Sequence, residues 1–317
     1  MRLCGRALAA VVGSLLMMAS NACHRADMSR PLIAIIVPSQ DNPFFKAEAD
    51  AAAARGLELG YRVRVDAHDD DAYRQDNLID SAIASNAAAI ILDNAGADSS
   101  VAAVRRATLA GIPCFLIDRE IEADGIAKAQ IIADNNQGAR IVAEEFARGI
   151  GPQGGDYAEL LGRESDTNAQ VRARALHSVL DAQTTLHRVA AQSANWSQSE
   201  AFQKTETMLQ AHANIRGIIA GNDTMALGAA AAVKSSGLIG IVITGLDGSP
   251  DAIASIRAGI LRATSLQPAV LIARLAVDEA NQFLRTGSTG KPERQIIPCD
   301  LVTRQNADDY SKFEKVR

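Results

Sequence analysis

The sequence predicts an α/β protein of two doubly wound parallel-sheet domains. Two observations carry this. Beyond residue 30, short apolar runs of strand length alternate with segments of helical composition. Continuously apolar strands belong to parallel sheets covered by helices on both faces. The count of strands is the second observation. About ten strands overfill one core, because a single core rarely grows past ~250–300 residues.

The elements follow in order. Leu32–Val37 is an unbroken apolar run and reads as a buried strand. Phe44–Leu59 reads as a helix that stops before Gly60. Pro43 suits its first turn, where the missing N–H costs nothing. Tyr61–Asp66 alternates as a strand, and Tyr73–Asn86 reads as a helix. Ala88–Leu92 is a strand, Ser99–Ala110 a helix closed by Gly111, and Ile112–Ile117 a strand. The same beat resumes at Ile131, Asp156–Leu161, Arg188–Gln192, Ile215–Ala220 and Ile239–Thr244. The first boundary falls near Ala133, with no Pro/Gly/Ser-rich linker, so short hinge strands and a cleft are expected.

The N-terminus stands apart. Charges at Arg2 and Arg6 precede an apolar stretch from Ala7 to Ala19, then Ser20-Asn21-Ala22-Cys23. This is the pattern of a secretion signal over residues 1–22. The apolar stretch is shorter than the roughly 20 residues that span a bilayer. An exported, periplasmic protein is expected. Ala22 suits a lipoprotein signal, whereas Ser20 stands where such signals usually carry Leu; a lipid anchor or a free thiol at Cys23 both stay open.

Composition excludes other classes. With 32 basic and 37 acidic side chains, the net charge is -5, which argues against nucleic acid as a partner. An apolar fraction of 48% with 22% charged residues excludes disorder as the main state. The five His residues are scattered and read as solvated, and no Cys or His spacing suggests a metal. No cofactor is expected.

In open parallel sheets, ligands bind beyond the carboxyl ends of the strands. Asn42 with Phe44 and Phe45, Asp93, and Asp118 with Arg119 stand after strands of the first half. Adjacent Phe residues on a helix point about 100° apart, so they cannot share one direction. Arg172 and Arg174 are placed at the opening of a helix in the second half. Trp196, Asn222, Asp247 and Gln267 follow its strands. Asp223 and Ser249 read as helix caps. Flat rings among carboxylates, amides and Arg suit a polyhydroxylated ligand: the rings cover C–H faces and the polar groups take hydroxyls.

With these residues located, residues 31–303 resemble the ribose-binding family of periplasmic sugar-binding proteins, the solute receptors of ABC importers. The carrying motifs are Asp41-Asn42-Pro43-Phe44-Phe45, Ile112-Pro113 through Asp118-Arg119, Gly221 through Gly228, and Gly245-Leu246-Asp247-Gly248-Ser249-Pro250. The resemblance implies two domains, 30–132 with 268–297 and 133–267 with 298–317, joined by three crossovers and closing on a ligand. It implies ligand contacts at Asn42, Phe44, Phe45, Asp118, Arg119, Arg172, Asn222, Asp247 and Gln267. Trp196 stands where ribose binders have Phe. Arg174 matches a structural Arg. Asp93 stands where ribose binders have Asn; a carboxylate only accepts, so a ligand with one more hydroxyl donor is expected. The loop Glu164–Asn168 reads as about two residues longer than the family pattern. A neutral pentose or short polyol is expected, since Asp93, Asp118 and Asp247 balance Arg119 and Arg172. The resemblance also puts Cys299 beside the first domain's sheet, so two readings stay open: a disulfide to Cys114 in an oxidising compartment, or two buried free thiols. The implied partners are ABC permease subunits, with the protein a monomer.

Three rival functions compete with this one. Paired Asp residues could serve a glycosidase, but no nucleophile elbow, phosphate loop or metal motif accompanies them. A sugar-responsive repressor needs a DNA-binding N-terminus, and residues 1–30 read as a secretion signal instead. A periplasmic sensor that presents ligand to a membrane receptor or kinase stays open.

Overall fold

The computed structural model describes residues 30–316. The expected secretion segment and Cys23 lie outside the described residues. The first sheet contains β1 (Leu32–Val37), β2 (Arg62–Ala67), β3 (Ala89–Leu92), β4 (Cys114–Ile117) and β5 (Ala129–Ala133), closed at one edge by β11 (Arg294–Ile297). Its order is β11-β5-β4-β3-β1-β2, and every pairing is parallel. The second sheet contains β6 (Gly155–Leu161), β7 (Leu186–Ser193), β8 (Ile215–Ala220), β9 (Val242–Asp247) and β10 (Ala263–Leu266), with β12 (Asp300–Thr303) at its edge. Its order is β12-β10-β9-β8-β6-β7. It departs from a purely parallel sheet only at β12, which runs antiparallel to β10.

The two sheets therefore share one winding order, and the chain crosses between them three times. The crossings are at Asp134, between Leu266 and Ala269, and between Ile297 and Asp300. Helices α1 (Pro43–Glu58), α2 (Ala72–Ala84), α3 (Val101–Leu109) and α9 (Ala269–Thr286) cover the first sheet. Helices α4 (Asn135–Ile150), α5 (Thr167–Leu180), α6 (Gln198–Ala211), α7 (Asp223–Ser235) and α8 (Pro250–Arg257) cover the second. Burial on both faces explains the unbroken apolar strands: Ile33, Ile35 and Ile36 of β1 are all fully buried. Each such side chain contributes about 1.5–3 kcal/mol.

Three readings are corrected. The apolar run from Ile239 is not the start of a strand: Gly237 and Gly240 both adopt left-handed φ, and Ile239 between them is 92% exposed. The strand begins at Val242 and runs through Asp247. A C-terminal hairpin of β13 (Tyr310–Ser311) and β14 (Glu314–Lys315) was not expected from the sequence. Its turn residues Lys312 and Phe313 both have positive φ, a conformation usually announced by Asn-Gly.

The third correction concerns the cysteines. Cys114 and Cys299 are both free. Side chains alternate across a strand, so Cys114 and Leu116 of β4 face one side of the first sheet, while Phe115 and Ile117 face the other. Cys299 packs with Phe115 and Ile117. The sheet itself lies between the two thiols. Burial pushes both thiols up to about 12, which keeps them unreactive in the folded chain. Thiol titration of unreduced protein is expected to find both groups silent when native and reactive once unfolded. A pair that stays unreactive after unfolding would restore the bridge.

Candidate functional site

The carboxyl ends of the two sheets face one another across a cleft. Between them lies a narrow pocket lined by Asn42, Phe44, Phe45, Asp118, Asp166, Asn168, Arg172, Trp196, Asn222, Asp247 and Gln267. Nine of the eleven residues singled out from the sequence line it. Asp93 and Arg119 do not: both are buried behind that wall.

Each wall is built by the start of a helix. Asn42 caps α1, its side-chain oxygen accepting from Phe44 N–H at 3.0 Å. That bond fixes the first turn, and both rings of the Phe pair reach the cavity, edge to face at 5.7 Å. Phe313 of the C-terminal hairpin stacks edge-on against Phe44 at 5.6 Å and supports it. In the second lobe, Asn222 caps α7 by accepting from Met225 N–H. Asp223 is not that cap. It is buried and accepts from Ser249 N–H and the Thr264 hydroxyl, tying α7 to β10. Ser249 caps α8 as expected. Arg172 sits within α5 rather than opening it.

Trp196 owes its place to glycine. A Cβ on Gly162, at the end of β6, would fall inside the indole. A Cβ on Gly221 would also press on the ring, at 3.1 Å. The indole N–H donates to Asp166 at 3.0 Å, and the Arg172 guanidinium lies 5.3 Å from the ring centroid. The first lobe repeats the motif: Arg119 lies 4.9 Å from the Phe45 centroid. Cation and ring attract in both places. Asp118, Trp196 and Asp247 all have positive φ, at 56°, 65° and 129°. Backbone strain of this kind concentrates where side chains must be aimed.

Arg119 is the electrostatic centre. Its Nη1 donates to Asp70 at 2.7 Å and to the Asn94 carbonyl at 2.9 Å. Its Nε lies 2.9 Å from Asp166 of the opposite lobe. Asn168 Nδ2 also crosses the cleft, donating to Asp118 at 3.2 Å. Arg172 Nε donates to Asn135 beside the first crossover, Nη1 to the Gly221 carbonyl. Asn135 in turn donates to Asn168. Gln267 Nε2 donates to Asp247 at 2.8 Å, which leaves its buried carbonyl oxygen without a partner among the described residues.

Burial pushes the Asp118 carboxyl up to about 6, with Asp166 adding to the rise and Arg119 opposing it. Burial likewise raises Asp247 well above the ordinary range against the pull of Arg172. Asp223 reaches about 7, again through burial, with the Thr264 bond opposing.

Sequence reasoning missed Asp166, Asn168 and His68. The first two lie in the loop read as unusually long and at its end, so that loop was their signal. His68 corrects the reading of solvated histidines. It is fully buried, accepts at Nδ1 from Asp70 N–H, and bonds through Nε2 to the Asp93 carbonyl at 2.7 Å. The ring must therefore be neutral with its proton on Nε2. Burial lowers it from 6.5 to about 4.

Two outcomes are expected. Gly162→Ala pushes the indole out of place, costing about 1–3 kcal/mol by overpacking and shifting Trp196 fluorescence. An unchanged spectrum and midpoint would remove Gly162 from this role. For His68, the unfolded chain binds a proton below about 6.5 that the folded chain refuses until about 4. Stability is thus lost as pH falls through that window, by roughly 3 kcal/mol at one pKa unit per 1.36 kcal/mol. Urea midpoints against pH for the native protein and His68→Gln isolate the effect; parallel curves would refute it.

The chain matches the periplasmic binding protein domain model over residues 33–289. It is 53% identical over 282 residues to a D-apiose import binding protein of Paraburkholderia graminis, covering 89% of this chain and 90% of that one. It is 31% identical over 269 residues to a ribose import binding protein of Bacillus subtilis, covering 85% of each. Among solved structures, it aligns with an ABC transporter periplasmic solute-binding protein of Actinobacillus succinogenes with bound D-allose. That match has a TM-score of 0.83 and 27% identity, covering 89% of this chain and 100% of the other.

Proposed function

The chain belongs to the periplasmic binding protein domain family, and from that premise we propose that it captures one neutral pentose, D-apiose, between its lobes and passes it to an ABC import permease. It acts outside the cytoplasm. It is a receptor and not an enzyme, and one chain suffices to bind, because both walls of the cavity come from it.

The observation that carries this reading is the chemistry of the enclosed wall. Asp118 and Asp166 offer acceptor oxygens, and the free Gln267 oxygen accepts as well. A ligand rich in O–H donors satisfies such a wall; a sugar acid adds charge to it. Phe44, Phe45 and Trp196 supply faces for C–H groups. The 53% identity to a D-apiose import binding protein selects among pentoses.

The lobes open and close about the three crossovers, with Asn42, Phe44, Phe45 and Asp118 on one side and Arg172, Trp196, Asn222 and Asp247 on the other. Gln267 stands at the second crossover. Asp93 and Arg119 shape the site from behind.

A thermal-shift screen over D-apiose, ribose, other pentoses, hexoses and C4–C6 polyols tests the proposal. At a hundred times Kd the true ligand adds about 2.7 kcal/mol. D-apiose is expected to give the largest shift, to change Trp196 fluorescence and to reduce the radius of gyration. Trp196→Ala is expected to weaken binding by a few kcal/mol. No response to any sugar would overturn the assignment.

A further inference from the structure

Glu48 has no part in the site described so far, yet it is fully buried on α1, one turn beyond Phe44. Its carboxyl group neighbours that of Asp93, which is also fully buried. None of the four oxygens has a hydrogen-bond donor among the described residues. Two ionised carboxylates only accept, so they cannot bond each other. A proton placed between them satisfies both.

The surroundings demand the same. Asp118 and Arg119 face the pair from the end of β4, and Asp70 and neutral His68 from the loop after β2. Asp166 faces it from the opposite lobe. Arg119 is the cation of this group, and Asp70 and Asp166 already engage it at 2.7 and 2.9 Å. Its Nε is farther from Asp93, at 3.5 Å. Burial raises both Glu48 and Asp93 well above the ordinary carboxylate range.

We propose that Glu48 and Asp93 share one proton behind the wall of the cavity, and that this proton permits the lobes to close. Closure brings Asp166 toward the pair and excludes water from it. Both changes disfavour a second negative charge there. The closed state therefore holds the proton more tightly than the open state. Where the open pair has lost it, closure takes up one proton, and affinity falls as pH rises further. Asp93 then acts as a positioning residue, and the sequence reading of it as a purely accepting ligand contact is replaced by a pair that is half neutral.

The ligand arm of the test rests on the sugar-binding reading; the first arm does not. Infrared spectra of the unliganded protein are taken from about pH 5 to about pH 9. Asp223 and Asp247 contribute protonated-carboxyl absorbance of their own, so the difference spectrum is read: a component that persists above the ordinary carboxylate range is expected to be missing from Glu48→Gln. Identical spectra for the two proteins would overturn the shared proton. In the second arm, D-apiose is titrated calorimetrically in buffers of different ionisation heat. Proton uptake is expected on the alkaline side, with affinity falling by up to about tenfold per pH unit. Glu48→Gln, which mimics the neutral carboxyl, flattens that profile. No uptake, or the same profile in the variant, overturns the coupling to closure. A persistent band with no sugar bound at any pH leaves the shared proton standing and removes the functional reading instead. Should Glu48→Gln fail to fold, Asp93→Asn serves both arms with the same expectations.

Discussion

The Arg119 guanidinium is stripped of water and has to find its compensation among carboxylates. Removing such a charge from water costs several kcal/mol unless ion pairs and hydrogen bonds replace the hydration. Here burial works against its charge, and Asp166, Asp93, Asp70 and Asp118 outweigh it. Three of these carboxylates come from the first lobe and one from the second. The second lobe's share reaches it across the cleft, through Asp166 at 2.9 Å. The strained turn at Asp118, the length of the loop that delivers Asp166 and the neutrality of His68 all serve the geometry around this one cation.

The second lobe solves a similar problem with different parts. Arg172 is compensated by amide and carbonyl oxygens and stands 3.5 Å from Asp247. Because Asn135 accepts from it beside a crossover, the wall of the cavity and the first crossover of the chain are one hydrogen-bonded unit. Phe45 and Trp196 line both the cavity and a wider outer groove, so the two rings form the partition between ligand and solvent. Gly162 and Gly221 give the indole the space to lie there.

Most of this was legible in the sequence for a simple reason. A strand that is apolar throughout and then breaks into Asp, Asn or Arg marks the ligand side of a parallel sheet, and Asn42, Asp118, Asn222, Asp247 and Gln267 all follow that rule. Depth was not legible. The residues after a strand alternate between facing the cleft and turning behind it, and no pattern told Asp93 and Arg119 from Asp118. Glu48 looked like any solvated helical carboxylate, since its neighbours in space are distant in sequence. The run at Ile239 failed because glycine conformation overrode hydrophobicity. The hairpin failed because its turn lacks the usual residues. The cysteine pairing failed on strand alternation: which face of β4 carries Cys114 depends on register.

That last feature reaches beyond the site. With a sheet standing between its two buried thiols, the described fold contains no covalent cross-link to be made. Nothing in its assembly waits for an oxidant, an isomerase or the correction of a wrong bridge. The described fold can form in a reducing cytosol as readily as in an oxidising envelope, so the folding of residues 30–316 is independent of redox chemistry.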